Sequence, residues 1–156
     1  MRLHISAVGR LRRGPEKDLV DDYITRFNRT GRPLSLGPAQ LVEVEDKKGT
    51  GKRGEHILLE KTVPQGAFRC ALDERGLAES SPAFAARLAG WRDSGHSTVA
   101  FFIGGADGLD PDLRQNADHL MSFGQMVWPH SFVRVMLAEQ LYRAATILAG
   151  GPYHRA

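Results

Sequence analysis

Apolar positions recur along this chain with two alternating periods, and the alternation predicts the elements. Residues Arg2 to Val8 place Leu3, Ile5 and Ala7 on one face and run into Gly9, which predicts a strand. Pro15 opens a helix in which Leu19, Val20, Tyr23, Ile24 and Phe27 return at helical spacing until Gly31. "QLVEVE" predicts a second strand, and "GEHILLEKTV" a second helix. "AFRCALD" reads as a buried strand, and Ser81-Pro82 as the cap of a helix with a Phe84, Leu88, Trp91 stripe that Gly95 stops. "STVAFFIGG" is an almost unbroken apolar run, the mark of a central strand covered on both faces. Asp110-Pro111-Asp112 starts a short helix, and "QMVW" predicts a last short strand. Ser131 to Ala149 then form the longest helix, carrying Val133, Met136, Leu137, Leu141, Ala144 and Leu148. Strands alternating with helices predict an α/β fold, a mostly parallel sheet flanked by helices. No repeat or second domain interrupts the pattern, so residues 1–156 are expected to form a single domain.

Composition narrows the class. With 42% hydrophobic and 25% charged residues, the chain matches an ordinary globular protein long enough to bury a core without staples. Its longest apolar runs are strand-sized and no secretory leader is evident, so no membrane and a cytoplasmic location are expected. Cys70 is expected to be a small buried hydrophobe, and six scattered histidines predict no metal site. The net charge of +3 is mild, but the cations cluster. Arg10, Arg12 and Arg13 follow the first strand, and Lys47, Lys48, Lys52 and Arg53 crowd the Gly-spaced loop "DKKGTGKRGEH". Such loops suit nucleic-acid phosphates, and serve equally as solvated surface.

Parallel sheets bind ligands at the carboxyl ends of their strands, which singles out three segments. These are Leu72 to Gly76, Ile103 to Gly108, and the run from Phe123 through Gly124 and Trp128 to Pro129 and His130. Gly104-Gly105 is neither a dinucleotide fingerprint nor a phosphate loop, and fits a tight turn as well as a ligand loop. Asp107, Asp110 and Asp112 are too few and too close for a calcium loop, which leaves helix capping. His130 and Arg134 lie one helical turn apart and can share a mouth, while Arg134, Glu139 and Arg143 also fit a salt-bridged helix face.

Five segments together, "RLHISAVGR", "LDERG", "FFIGGADGL", "PHSFVRVMLAEQLYRA" and "PYHR", resemble the RlmH family of small SPOUT methyltransferases over essentially the whole chain. The resemblance implies methyl transfer from S-adenosylmethionine to N3 of a pseudouridine in large-subunit (23S) ribosomal RNA, with the assembled ribosome as acceptor. It also implies a C-terminal trefoil knot, over roughly residues 68–149, that cradles the cofactor. Leu72, Gly104, Gly105, Gly124, Gln125, Met126, Val127, Trp128 and Pro129 are then the cofactor-binding residues, with a Cβ at either paired glycine expected to intrude on the cofactor. Arg10, Arg12, Arg13, Lys47, Lys48, Lys52, Arg53 and Arg134 are expected to meet RNA.

The chain's ending, "GGPYHRA", carries the remaining chemistry. By the same resemblance His130, Tyr153, His154 and Arg155 are catalytic, with His130, His154 or water taking the N3 proton. The last helix, roughly 18 residues, separates His130 from Tyr153 by about 27 Å, so a homodimer with a shared site is expected unless the tail doubles back. Gly150-Gly151 stand where the family has Asn-His and Ala156 where it has Glu, which predicts a loose tail over residues 150–156, mobile until RNA orders it. Trp128 replaces a usual aliphatic residue. The rival readings are a non-catalytic ribosome-binding protein and a small-molecule hydrolase with His130 as base, for which no nucleophile or metal is in sight.

Overall fold

The computed structural model describes residues 1–155; Ala156, and with it the replacement of a closing Glu, lies outside the described residues. In chain order the elements are β1 (Arg2–Val8), α1 (Pro15–Gly31), β2 (Ala39–Val44), α2 (Gly51–Thr62), β3 (Phe68–Ala78), α3 (Ser81–Asp93), β4 (Thr98–Ile103), α4 (Pro111–Gln115), β5 (His119–Ser122) and α5 (His130–Leu148). The strands form one five-stranded sheet in the order β2-β1-β4-β3-β5, and every adjacent pair is parallel.

The two-residue period of β4 divides the core. Val99, Phe101 and Ile103 pack with Leu3 and Ile5 against Phe27 of α1, Leu88 of α3, and Leu137 and Leu141 of α5. Ala100 and Phe102 face the other way, toward Leu59 of α2 and Leu113 of α4. Because β4 is covered on both faces, all of Val99 to Ile103 is at most 2% exposed, which is why its sequence is an unbroken apolar run. Ser6 is the polar exception in β1; its hydroxyl lies 2.7 Å from Thr62 Oγ1 at the end of α2, so burial leaves it satisfied. Cys70 is fully buried, and burial pushes its thiol up, as expected of a residue used for packing.

Four expectations are corrected. The last strand is His119–Ser122, not "QMVW": Gly124 takes φ +110, and Met126, Val127 and Trp128 are 73%, 83% and 40% exposed in the loop beyond it. The α3 cap is Ser80, whose hydroxyl accepts from the Ala83 amide at 3.2 Å. Lys52 and Arg53 lie in the first turn of α2, which begins earlier than its apolar period because Asp46 accepts from the Gly51 amide and the Thr50 hydroxyl. Finally, β3 runs on past Asp73 to Ala78. Leu72 and Leu77 both pair with Met121, so residues 73–76 loop out of the strand and pairing then resumes.

That looped-out segment sets the geometry of the site, and Gly76 permits it. A Cβ there would lie 2.7 Å from backbone atoms of Leu120 and Met121, so only glycine lets β3 close back onto β5. Gly76→Ala is expected to destabilise the protein by about 2 kcal/mol or more, read by thermal denaturation; an unchanged melting temperature would contradict this packing.

Candidate active site

Since all five strands are parallel, the loops that follow them lie along one edge of the sheet. The loops after β4, β3 and β5 enclose a cleft of about 360 Å³. Of the residues singled out in the sequence, Leu72, Gly104, Gly105, Gly124, Met126, Val127, Trp128 and His130 line it, whereas Gln125 and Pro129 do not. Lys52, expected to meet RNA, also reaches the cleft. Charged residues complete the wall: Asp73, Glu74, Arg75 and Asp107, which fall in the strand-end segments singled out above without a role of their own, and Arg114, which does not. Arg114 carries no such signal, because only the packing of α4 against the sheet brings it in.

The protein's own atoms already crowd both of the paired glycines. A Cβ on Gly104 would meet Gly108 carbonyl atoms at 2.6 and 2.7 Å, so this glycine lets its own loop close. A Cβ on Gly105 would point at Val8 Cγ1 and Glu55 Oε1, 3.2 and 3.3 Å away on β1 and α2. Backbone atoms demand the glycine at 104, whereas at 105 the neighbours are side-chain ends that need shift only a few tenths of an ångström. Asp73 closes the neighbouring turn: it accepts from the Arg75 amide at 2.9 Å, and its side chain is only 8% exposed.

His130 begins α5 at the cleft, and Arg134 fixes where α5 begins. Arg134 was expected to face RNA; instead it is 2% exposed. Its guanidinium donates to the carbonyls of Val8 and Gly9 at the end of β1 and to Glu43 of β2 at 2.6 Å. Glu43 also accepts from the Leu11 amide at 2.6 Å, so the same carboxylate holds the start of the turn bearing Arg12 and Arg13. Burial works against the Arg134 charge and Glu43 sustains it. Burial first, and the Arg134 charge second, hold His130 below its ordinary range. The imidazole is therefore neutral near pH 7, with a ring nitrogen free to accept a proton.

The described tail residues fold back onto α5. Ala149 ends α5, Gly150 turns left-handed at φ +72, and the Gly150 and Gly151 amides bond the carbonyls of Ile147 and Thr146 at 3.1 and 2.8 Å. This is a Schellman stop, the commonest reason for a glycine after a long helix, and it sends the chain back along α5. Tyr153 donates to Glu139 at 3.0 Å and packs 4.7 Å from the Tyr142 ring. His154 Nδ1 lies 3.2 Å from Arg143, and since a guanidinium only donates, that nitrogen accepts. Glu139 and Arg143 do form the helix-face ion pair expected of them. Burial, with Tyr23 and Glu139 adding to it, holds Tyr153 well above the usual phenol range, so it stays a neutral donor. None of the described tail residues lines the cleft: Glu139 is nine residues along α5 from His130, about 13 Å.

The cations are mostly free of the core. Arg12, Arg13, Lys47 and Lys48 are exposed, Arg10 pairs with Glu45 at 3.4 Å, and Arg53 pairs with Asp112 at 3.1 Å. They follow β1 and β2, which places them on the same edge as the cleft. Among the described residues no helix is long and apolar enough to cross a membrane.

A family described as "Predicted SPOUT methyltransferase" matches residues 1–154. The ribosomal RNA large subunit methyltransferase H of Ruegeria pomeroyi is 68% identical to this chain over 155 residues, covering 99% of each. Its namesake in Roseobacter denitrificans is 66% identical with the same coverage. Among solved structures, a probable methylase family protein from Haemophilus influenzae shares the fold, with a TM-score of 0.50, 10% identity, and coverage of 99% of this chain and 70% of that one.

Removing the guanidinium at the cleft mouth tests this geometry. Arg134→Met leaves Glu43 with the Leu11 amide alone and takes the guanidinium from the Val8 and Gly9 carbonyls, and is expected to cost about 3–5 kcal/mol in urea unfolding. A loss below about 1 kcal/mol, the range of surface ion pairs, would show that Arg134 does not hold α5 in place.

Proposed function

This chain belongs to the SPOUT methyltransferases, and within them to the ribosomal RNA large subunit methyltransferase H family, and on that premise we propose that it moves a methyl group from S-adenosylmethionine to N3 of a pseudouridine in 23S ribosomal RNA. The observation that carries this reading is the meeting, at one cleft, of three separate strand-end loops with His130.

The residues present fit that cofactor. The cleft volume lies within the range of small-molecule sites, and its lining offers both apolar surface and charges of each sign. Main-chain groups near Gly124, Met126 and Trp128, which line the cleft, read the adenine edge. A trefoil knot around these loops is part of the proposal. The cofactor supplies an activated methyl group, and the protein's own residues have two tasks left: to orient the base in line and to manage one proton. His130, neutral and lining the cleft, takes the N3 proton. Arg155, which is exposed, steadies charge that develops on a pyrimidine carbonyl, and Tyr153 and His154 contact the base.

Tyr153, His154 and Arg155 cannot serve the cleft of their own protomer while the tail lies along α5, which supports a homodimer in which each cleft receives its partner's tail. The apolar rim points the same way. Met126, Val127, Trp128 and Phe132 are 73%, 83%, 40% and 46% exposed, a patch an isolated chain would leave in water. Arg12, Arg13, Lys47 and Lys48 continue the edge and hold ribosomal RNA by its phosphates. The cytoplasm follows from such an acceptor.

Ribosomes lacking the modification, incubated with labelled S-adenosylmethionine and this protein, are expected to take up label in large-subunit RNA. Absence of label would favour a ribosome-binding protein without catalysis. Deleting Pro152 to Ala156 is expected to leave cofactor affinity within about twofold while lowering turnover by roughly 10²- to 10⁴-fold, the worth of misplaced catalytic groups. Full turnover in that variant would show that the tail plays no part.

A further inference from the structure

We infer that Arg114 reads the carboxylate at the amino-acid end of the cofactor; the inference rests on the S-adenosylmethionine reading above and assigns it a recognition residue. Arg114 projects from α4, the short helix that follows the Gly104 to Gly108 loop, and lines the cleft. Its side chain is only 20% exposed, and its Nε is buried with no hydrogen-bond partner. The nearest carboxylate oxygen, Asp73 Oδ2, is 3.7 Å away, too far for a hydrogen bond. Asp73 therefore holds the guanidinium in the wall without satisfying it, since its other oxygen already accepts from the Arg75 amide at 2.9 Å.

The other lining cations differ in one respect. Arg75 is 63% exposed and Lys52 lies at the solvent-facing start of α2, so water screens both. Arg114 is the shielded one, where a charge-assisted bond is worth most. The charges come from the side away from β5: Asp73, Glu74 and Arg75 from the β3 turn, Asp107 from the β4 loop, Arg114 from α4 and Lys52 from α2, while Phe123, Met126, Val127, Trp128 and Val133 supply apolar wall after β5. A ligand carrying a purine at one end and a zwitterion at the other matches that division. A guanidinium fork matches a carboxylate in plane and charge, which a lysine at this position would not.

Calorimetry with two ligands tests the assignment without any transfer reaction. Decarboxylated S-adenosylmethionine keeps the sulfonium and an ammonium and lacks only the carboxylate. It is expected to bind the unaltered protein about tenfold more weakly than S-adenosylmethionine. Arg114→Gln is expected to lose about tenfold for S-adenosylmethionine and less than twofold for the decarboxylated ligand. Equal affinity of the unaltered protein for the two ligands, or an equal loss for both in Arg114→Gln, would overturn the assignment and leave the cofactor reading standing. Failure of the unaltered protein to bind either would overturn the cofactor reading itself. The comparison of ligands on the unaltered protein stands even where the variant does not fold.

Discussion

One buried guanidinium ties the site together. Arg134 joins α5 to the end of β1 and to Glu43 of β2, across as many as 126 residues of sequence. A charge this deeply buried is costly unless it is paired, and both terminal nitrogens of the guanidinium are, so the pairing favours this placement of α5 against the sheet. His130 stands one turn before it and inherits that placement. So does the loop before α5, whose far wall is the cleft. From there the helix is a ruler: a Schellman stop ends it, and the tail returns to mid-helix at Glu139, away from the cleft.

Two consequences follow for how so small a chain can carry out chemistry on RNA. The parallel sheet sets every strand's carboxyl end on one edge, so the cations after β1 and β2 and the cleft after β4, β3 and β5 lie along the same edge. The ordered tail cannot supply the cleft of its own chain, and the apolar rim at Met126 to Trp128 and Phe132 awaits cover. The proposed second copy would answer both needs at once.

What was legible in the sequence depended on how local its cause was. β1, α1 and β4 were readable because their periods and their Pro or Gly boundaries record the burial that forms them. "QMVW" misled because an apolar run marks burial without saying by what. These residues belong to a cleft and an exposed rim rather than to a sheet. Gly150-Gly151 looked loose because two glycines can either free a chain or stop a helix, and only the bonds to Ile147 and Thr146 decide between them. Arg134 and Arg114 were beyond pattern altogether, since a basic residue on a helix reads as surface until its long-range partners are known. The loops that line the cleft were legible because strand ends in parallel sheets are where ligands bind, and the family was legible by resemblance.

Complementation between two disabled copies tests most directly whether each site needs both protomers. One variant lacks Pro152 to Ala156 and keeps its cleft, and the other carries His130→Ala and keeps its tail. Each should be inactive alone, and co-refolding them should restore activity toward about a quarter of the unaltered dimer, since half the dimers are mixed and each holds one whole site. Mixed dimers that form and stay inactive would contradict a site shared across the interface.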